Sequence, residues 1–442
     1  MHLKQLIFFL LCSVYSFGQS EFLISNHKKK VVIPFKFINN LIFIPVNVNG
    51  EELTFLLDTG VEQTILFSLD EKEEVKLFEV EKLKLKGLGS MEPIDSYKSS
   101  KNKLQIKALV DTNHEIYIIL DQEFNFSSQV GIPVNGIIGY NFFKDYIVEI
   151  DYERKKLFVY SQNHKKIQAK FHKNFEKSAI TIEDGKPYYI SNLVAEGKQV
   201  SAKLLIDSGN SDALWVFASR TDVIKIPQKN ILDYLGRGFS GSVYGKRGRI
   251  TSFDFGTKTF EEPLVTFPDS TSIRSVNFVK NRIGSIGSEV LSRFRVVFDY
   301  KNQIMYTKPN AKINDPFHFN MSGIEVEHAG LEWVKQSIDD RSSSGIRVYT
   351  DANTEKFQNN LKVHFELKPV FSVASVRVNS EAEKAGIKVG DRITKINHRT
   401  AYGLTIQAIN ELLKSEEGRT IEIEIERKGK IFNFKFQLRK II

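Results

Sequence analysis

"FLLDTG", residues 55–60, is an apolar run that stops at an acid and turns on Thr59 and Gly60. Alone it reads as a strand ending in a turn acid. The chain writes it again as "LLIDSG", residues 204–209. Aligning Asp58 with Asp207 brings further landmarks into register. Each acid follows a strand, a glycine-containing turn (Gly50, Gly197) and a second strand. The loops "GLGS", from Gly87, and "GRGFSG", from Gly236 to Gly241, both begin 29 residues past the acid. Their second glycines, Gly89 and Gly238, lie 31 past it. "GIIGYNFF" then answers "GSIGSEVL", with Gly139 81 residues past Asp58 and Gly287 80 past Asp207. Asp151 and Asp299 each follow those glycines by 12 residues, in "VEIDYERKKLFVY" and "VVFDYKNQIMYTK". The chain therefore holds two units of one design, 34–163 and 176–308.

The rest of the chain frames that repeat. Its 442 residues are enough for two or three domains, and 41% hydrophobic with 26% charged residues is ordinary globular composition. The net charge of +9 comes from lysines spread along the chain, which reads as a solvated surface. No basic stripe with interleaved aromatics is present, so nucleic-acid binding is not expected. Residues 1–18 read as a signal peptide, with Lys4 before the apolar "LIFFLLCSVYSF" and small residues Ser16 and Gly18 near its end. That run is too short to span a membrane. Export to the periplasm or beyond the cell is expected, and the single cysteine, Cys12, would leave with the signal. Residues 21–36 read as a polar lead-in, and no long helical pattern precedes residue 380.

After "KPNAKINDPFHF" the pattern changes. "SEAEKAGIKVGDRITKIN" has a short helical start, a Gly-Asp turn and an apolar strand. "TIQAINELLKSEEG" puts Ile406, Ile409, Leu412 and Leu413 on one helical face, with Gly418 as the stop. "TIEIEIERKGKIFNFKFQL" alternates as a hairpin around Lys428 and Gly429. Residues 314–442 thus read as a small α+β module.

A carboxylate on a sharp strand-to-turn corner is presented on fixed backbone. Gly60 and Gly209 let neighbouring groups approach closely, and Thr59 and Ser208 supply hydroxyls able to bond across an interface. Two such corners brought together cannot both ionise, so the pair shares a proton. One acid can then deprotonate a water while the other protonates a carbonyl, which splits an amide without metal or covalent intermediate.

On these residues the two units resemble the clan AA aspartic peptidases, the pepsin and retropepsin group. Asp58-Thr59-Gly60 and Asp207-Ser208-Gly209 match the first signature, and Ile137-Ile138-Gly139 and Ser285-Ile286-Gly287 match the second. The resemblance covers nearly all of 34–308. It implies a mainly β fold of two homologous lobes, six to seven strands each, around a cleft. It also implies Asp58 and Asp207 as the catalytic dyad, and flaps carrying Gly87, Gly89, Gly236, Gly238 and Gly241. The sequence departs from the family pattern at Val61-Glu62, Asn210-Ser211 and Ser285, and the first unit has no clear flap tyrosine. The C-terminal module resembles a PDZ domain through "SEAEKAGIKVGDRITKIN", with Glu381 where proline is usual. By that resemblance Ser322, Gly323 and Ile324 would receive a peptide carboxylate, and a ligand strand would lie beside Ile324–Val326 against the helix at 405–415.

The expectation is an exported, monomeric aspartic endopeptidase acting on proteins or peptides, its PDZ domain recruiting or regulating substrate, with no cofactor and no metal. The alternative is a non-catalytic peptide-binding protein of the cell envelope. Gly236–Gly241 fits G-x-G-x-x-G, but "RITSFDFG" follows as strand rather than helix, which removes a dinucleotide site. The nine histidines lack metal spacing, and no G-x-S-x-G elbow marks a serine nucleophile. Asp151 and Asp299 read as hairpin-turn acids.

Overall fold

The computed structural model describes residues 20–25, 28–69, 74–85, 94–119, 126–238, 241–274, 276–338 and 362–442. Residues 1–18, and Gly87 and Gly89 of the first flap, lie outside them. The described residues are mainly β.

Each unit begins with the same hairpin. Leu41–Val48 pairs with Glu51–Leu57 around Asn49 and Gly50, and Lys186–Ala195 pairs with Lys198–Ile206 around Glu196 and Gly197. All four turn residues have positive φ, which gives the tight two-residue turn that matches strand twist. The second strand of each hairpin ends one residue before its acid. There it is joined in parallel by the second signature: Leu57 is opposite Ile138, and Ile206 is opposite Ile286. The repeat read in the sequence is therefore a repeat of structure. The two sheets have nine and ten strands among the described residues, more than the six to seven expected, because edge strands and long hairpins join them.

Among the described residues, a six-stranded sheet joins both units. At its centre Tyr146–Asp151 of the first unit pairs with Phe294–Asp299 of the second. Asp151 and Asp299 close the turns after these strands by accepting from the amides of Arg154 and Asn302. Both are turn acids, as read.

One expectation about the N-terminal stretch needs correction. The stretch 21–36 is not a polar lead-in: Leu23–Ile24 pairs with Leu109–Ile119, and Lys30–Pro34 is an edge of the six-stranded sheet. Phe22, Val31 and Ile33 are buried there, and the outward residues of the strand, Lys30, Val32 and Pro34, leave no apolar–polar alternation to read. Before residue 380 the helices among the described residues are short, as read, with Lys165–Asn174 at ten residues the longest. Only Phe171 is buried on it, so there was no apolar stripe to read.

The C-terminal module is one sheet in the order Ile324–Ile338, Lys362–Val376, Arg392–Ile396, Thr420–Arg427, Lys430–Gln437. Ser380 caps the helix Glu381–Ala385, and Gly386 ends it at φ 102°. The second helix, Ile406–Leu413, is capped by Thr405 and ends before Gly418. Its Ile406, Ile409 and Leu413 are buried, whereas Leu412 is half-buried.

Candidate active site

Both acids sit where their strands end. The Asp58 amide donates to Ile138 O at 3.0 Å and the Asp207 amide to Ile286 O at 2.9 Å, so each corner hangs from its own second signature. Gly139 and Gly287 permit this. A Cβ on Gly139 would overlap Val61 O and lie 2.8 Å from Asp58 O. One on Gly287 would overlap Asp212 O and lie 2.7 Å from Asn210 O.

The two corners are tied to each other by four buried hydrogen bonds. Thr59 Oγ1 donates to Ile206 O at 2.7 Å and accepts from the Ser208 amide at 2.9 Å. Ser208 Oγ donates to Leu57 O at 2.9 Å and accepts from the Thr59 amide at 3.0 Å. Ser288 Oγ adds a bond to Ser208 O at 3.0 Å. Each such bond contributes about 1 kcal/mol net, and more is lost if one partner alone is removed.

This grip sets the carboxylates face to face. Each accepts from the amide two residues on: Gly60 N to Asp58 Oδ1 at 2.7 Å, Gly209 N to Asp207 Oδ1 at 3.2 Å. Each also lies over the opposite glycine. A Cβ on Gly60 would stand 2.8 Å from Asp207 Oδ1; one on Gly209 would stand 2.7 Å from Asp58 Oδ1 and closer still to Oδ2. Burial, followed by the facing Asp207 charge, pushes Asp58 up to about 8. Burial raises Asp207 as well, but Arg282 and the amides of Gly209 and Asn210 oppose the rise. Both acids are thus raised, so the facing pair favours holding one proton between them. Such a pair can activate a water and protonate a carbonyl oxygen together.

Two departures from the family pattern explain each other. Asn210 Nδ2 reaches Ser285 Oγ at 3.4 Å, and its Oδ1 accepts from the Asp212 amide at 3.0 Å. The buried serine is the polar partner that an asparagine in this loop needs. Glu62 packs with Tyr140 against Gly185.

Gly236, Gly238 and Gly241 belong to the hairpin Asn230–Gly238/Gly241–Arg249, whose tip, 239–240, lies outside the described residues. Gly236 is at a bulge with φ 128°. Tyr234 and Tyr244 pair across this hairpin, ring centres 5.5 Å apart. Ser322, Gly323 and Ile324 precede and begin the C-terminal edge strand, as expected, but their amides are already bonded. Asn320 Oδ1 accepts from the Ser322 and Gly323 amides at 3.1 and 3.2 Å, and Ser322 Oγ from the Ile324 amide at 3.2 Å.

Sequence reasoning missed four residues around the second corner: Asp212, Asp233, Arg247 and Arg377. Arg247 donates to Asp212 at 2.8 Å and to Asp233 at 2.9 Å, and Arg377 donates to Asp233 at 3.1 Å. Nothing in their spacing announces the cluster, which three separate segments assemble. Arg282 was missed for the same reason.

Residues 44–142 match the aspartyl protease family, and residues 372–427 match the PDZ domain family. The chain is 31% identical over 122 residues to a serine protease Do-like HtrA of Lactobacillus helveticus, covering 27% of this chain and 29% of that protein. It is 25% identical over 137 residues to a probable CtpA-like serine protease of Staphylococcus saprophyticus, covering 29% and 27%. The chain thus spans under a third of the length of these relatives. Among solved structures, the aspartic proteinase from Irpex lacteus aligns over 65% of this chain and 99% of its own, with 11% identity and a TM-score of 0.39. The chain carries an aspartyl protease domain and a C-terminal PDZ domain.

Proposed function

We propose that the protein is an exported aspartic endopeptidase that uses Asp58 and Asp207 of one chain as its dyad. The observation that carries this reading is the pair of facing carboxylates held by reciprocal Thr59 and Ser208 bonds. A water between the acids loses a proton to Asp207 as its oxygen attacks the peptide carbonyl carbon. Asp58 gives its proton to the carbonyl oxygen, forming a neutral gem-diol. The C–N bond then breaks as the amide nitrogen takes a proton and a hydroxyl returns one to the dyad. Every proton is accounted for by the two acids and one water. Because both corners come from one chain, a monomer suffices. Glycine-tipped hairpins suit closure over an extended peptide, which would exclude bulk water. Export rests on the apolar run at 6–17.

The test compares the full-length protein with Asp58→Asn and Asp207→Asn on a mixed peptide library across a pH series. Both variants lose cleavage. Cleavage retained by either one would overturn the dyad.

A further inference from the structure

The PDZ domain is built into the lobes at three places. The first is its carboxylate loop. An incoming C-terminus would need the amides of Ser322, Gly323 and Ile324, and these are taken by Asn320 Oδ1 and Ser322 Oγ. The asparagine oxygen thus takes two of the three amides that such a carboxylate would use.

The second is the groove. The helix Phe126–Val130 of the first lobe packs against both the edge strand Ile324–Ile338 and the helix Ile406–Leu413. Those are the two elements between which a ligand strand would lie. Gly131, just past this helix, comes so close to Ile406 that a Cβ would stand 3.0 Å from its Cγ2. The turn Asn39–Asn40 adds a bridge, with Asn410 Nδ2 reaching Asn39 Oδ1 at 3.4 Å and Asn40 Nδ2 donating to Ser211 O at 3.0 Å.

The third is the charged chain. Arg377 follows the strand Lys362–Val376, and its amide and Nη2 fasten the carboxylate loop through Gly323 O and Asn320 O. Its Nε holds Asp233 on one strand of the lobe-2 hairpin. Asp233 holds Arg247 on the other strand, and Arg247 holds Asp212, five residues past Asp207. Trp215 Nε1 and Thr266 Oγ1 also donate to Asp212. Arg247 keeps the Asp212 carboxyl below its ordinary range although burial opposes this, so the link is ionic. Arg377 and Asp233 are almost wholly buried, where a lone charge is costly and partners are held firmly.

We propose that the PDZ domain acts as an internal brace rather than a peptide receptor: its groove is taken by the first lobe's helix, and Arg377, Asp233 and Arg247 are positioning residues that set the lobe-2 hairpin and the loop carrying Asp207. The kinetic part of this proposal rests on the protease reading; the positional part does not.

Hydrogen–deuterium exchange on the full-length protein tests it, using Arg377→Met and Asp233→Asn with circular dichroism and Tm as folding checks. Amides in 230–249 and 207–214 exchange at least about tenfold faster in both variants, as local opening becomes easier. Arg377→Lys, which restores a charge, regains part of the protection. On a peptide substrate kcat falls while KM changes little. Peptides with random C-terminal residues and free carboxylates alter neither exchange at 320–326 nor activity. Unchanged exchange in the folded variants would overturn the brace. So would a C-terminal peptide that protects 320–326, as it would if it displaced Asn320 or found Arg377 Nη1, which makes no hydrogen bond among the described residues. Should Arg377→Met not fold, the milder Asp233→Asn and Arg377→Lys decide the question. Altered exchange in a protein without peptidase activity would keep the brace and remove the protease reading. Peptidase activity with unaltered exchange would do the reverse.

Discussion

Adding one methyl group at Gly209 should silence the site while leaving the fold standing. The Cβ of Gly209→Ala would lie 2.7 Å from Asp58 Oδ1 and nearer to Oδ2, where ordinary contact begins at 3.4 Å. Gly209 does not have positive φ, so backbone conformation is no obstacle and the effect is purely spatial. The carboxylate cannot slide freely, because the Gly60 amide holds its Oδ1 at 2.7 Å. The pair must open by roughly 1 Å, a displacement that costs on the order of 10²-fold in rate when it falls on reacting groups. The stability loss is of overpacking size, about 1–3 kcal/mol. Gly60→Ala is a built-in comparison. Its Cβ would meet Asp207 Oδ1 at 2.8 Å and Cγ at 3.0 Å, a gentler collision, so it should lose less activity. The assay is kcat on a peptide substrate for both variants beside the native protein, with Tm as control. Native activity in Gly209→Ala, or a larger loss in Gly60→Ala, would refute the argument that these glycines are seats for the opposing carboxylates.

Two further outcomes follow from the same geometry. Asp58 is raised from 3.8 to about 8, so the folded protein retains a proton that the unfolded chain releases across that interval. Stability from this group is full below the lower value and drains away as pH rises toward the upper one. Asp58→Asn should therefore raise Tm increasingly between those limits and leave it unchanged below them; a gain largest at acid pH would contradict the shift. Thr59→Val removes the donor to Ile206 O and the acceptor for the Ser208 amide, stranding both, and should cost about 2–4 kcal/mol in denaturant unfolding. Thr59→Ser keeps both bonds and should cost far less, and equal losses would deny the grip its role.

The facing of Asp58 and Asp207 was legible because a short motif occurs twice with its glycines in step. Gly60, Gly209, Gly139 and Gly287 all prove to be places where another atom occupies the space of a side chain. Such a requirement leaves a fixed letter in the sequence. The strand pairing of 30–34 was not legible, because an edge strand needs only Val31 and Ile33 inward and tolerates Lys30, Val32 and Pro34 outward, which leaves no alternation. The Asp212–Arg247–Asp233–Arg377 chain was hidden for a different reason. Charged residues are common, and what distinguishes these is burial among segments far apart in the chain. Asn210 and Ser285 looked like separate irregularities and are one accommodation.

The central sheet bears on how the molecule is made. Tyr146–Asp151 is an inner strand whose neighbour, Phe294–Asp299, is translated about 150 residues later. Until then the first half carries a naked, apolar strand edge, ready to pair with any similar edge it meets. A chain halted midway would offer that edge to another copy of itself. The same delay keeps the two acids from meeting, since Asp207 and the strand Phe294–Asp299 both belong to the second unit. A chain under construction is thus sticky before it can become sharp, and the interval between the two is when it most needs company.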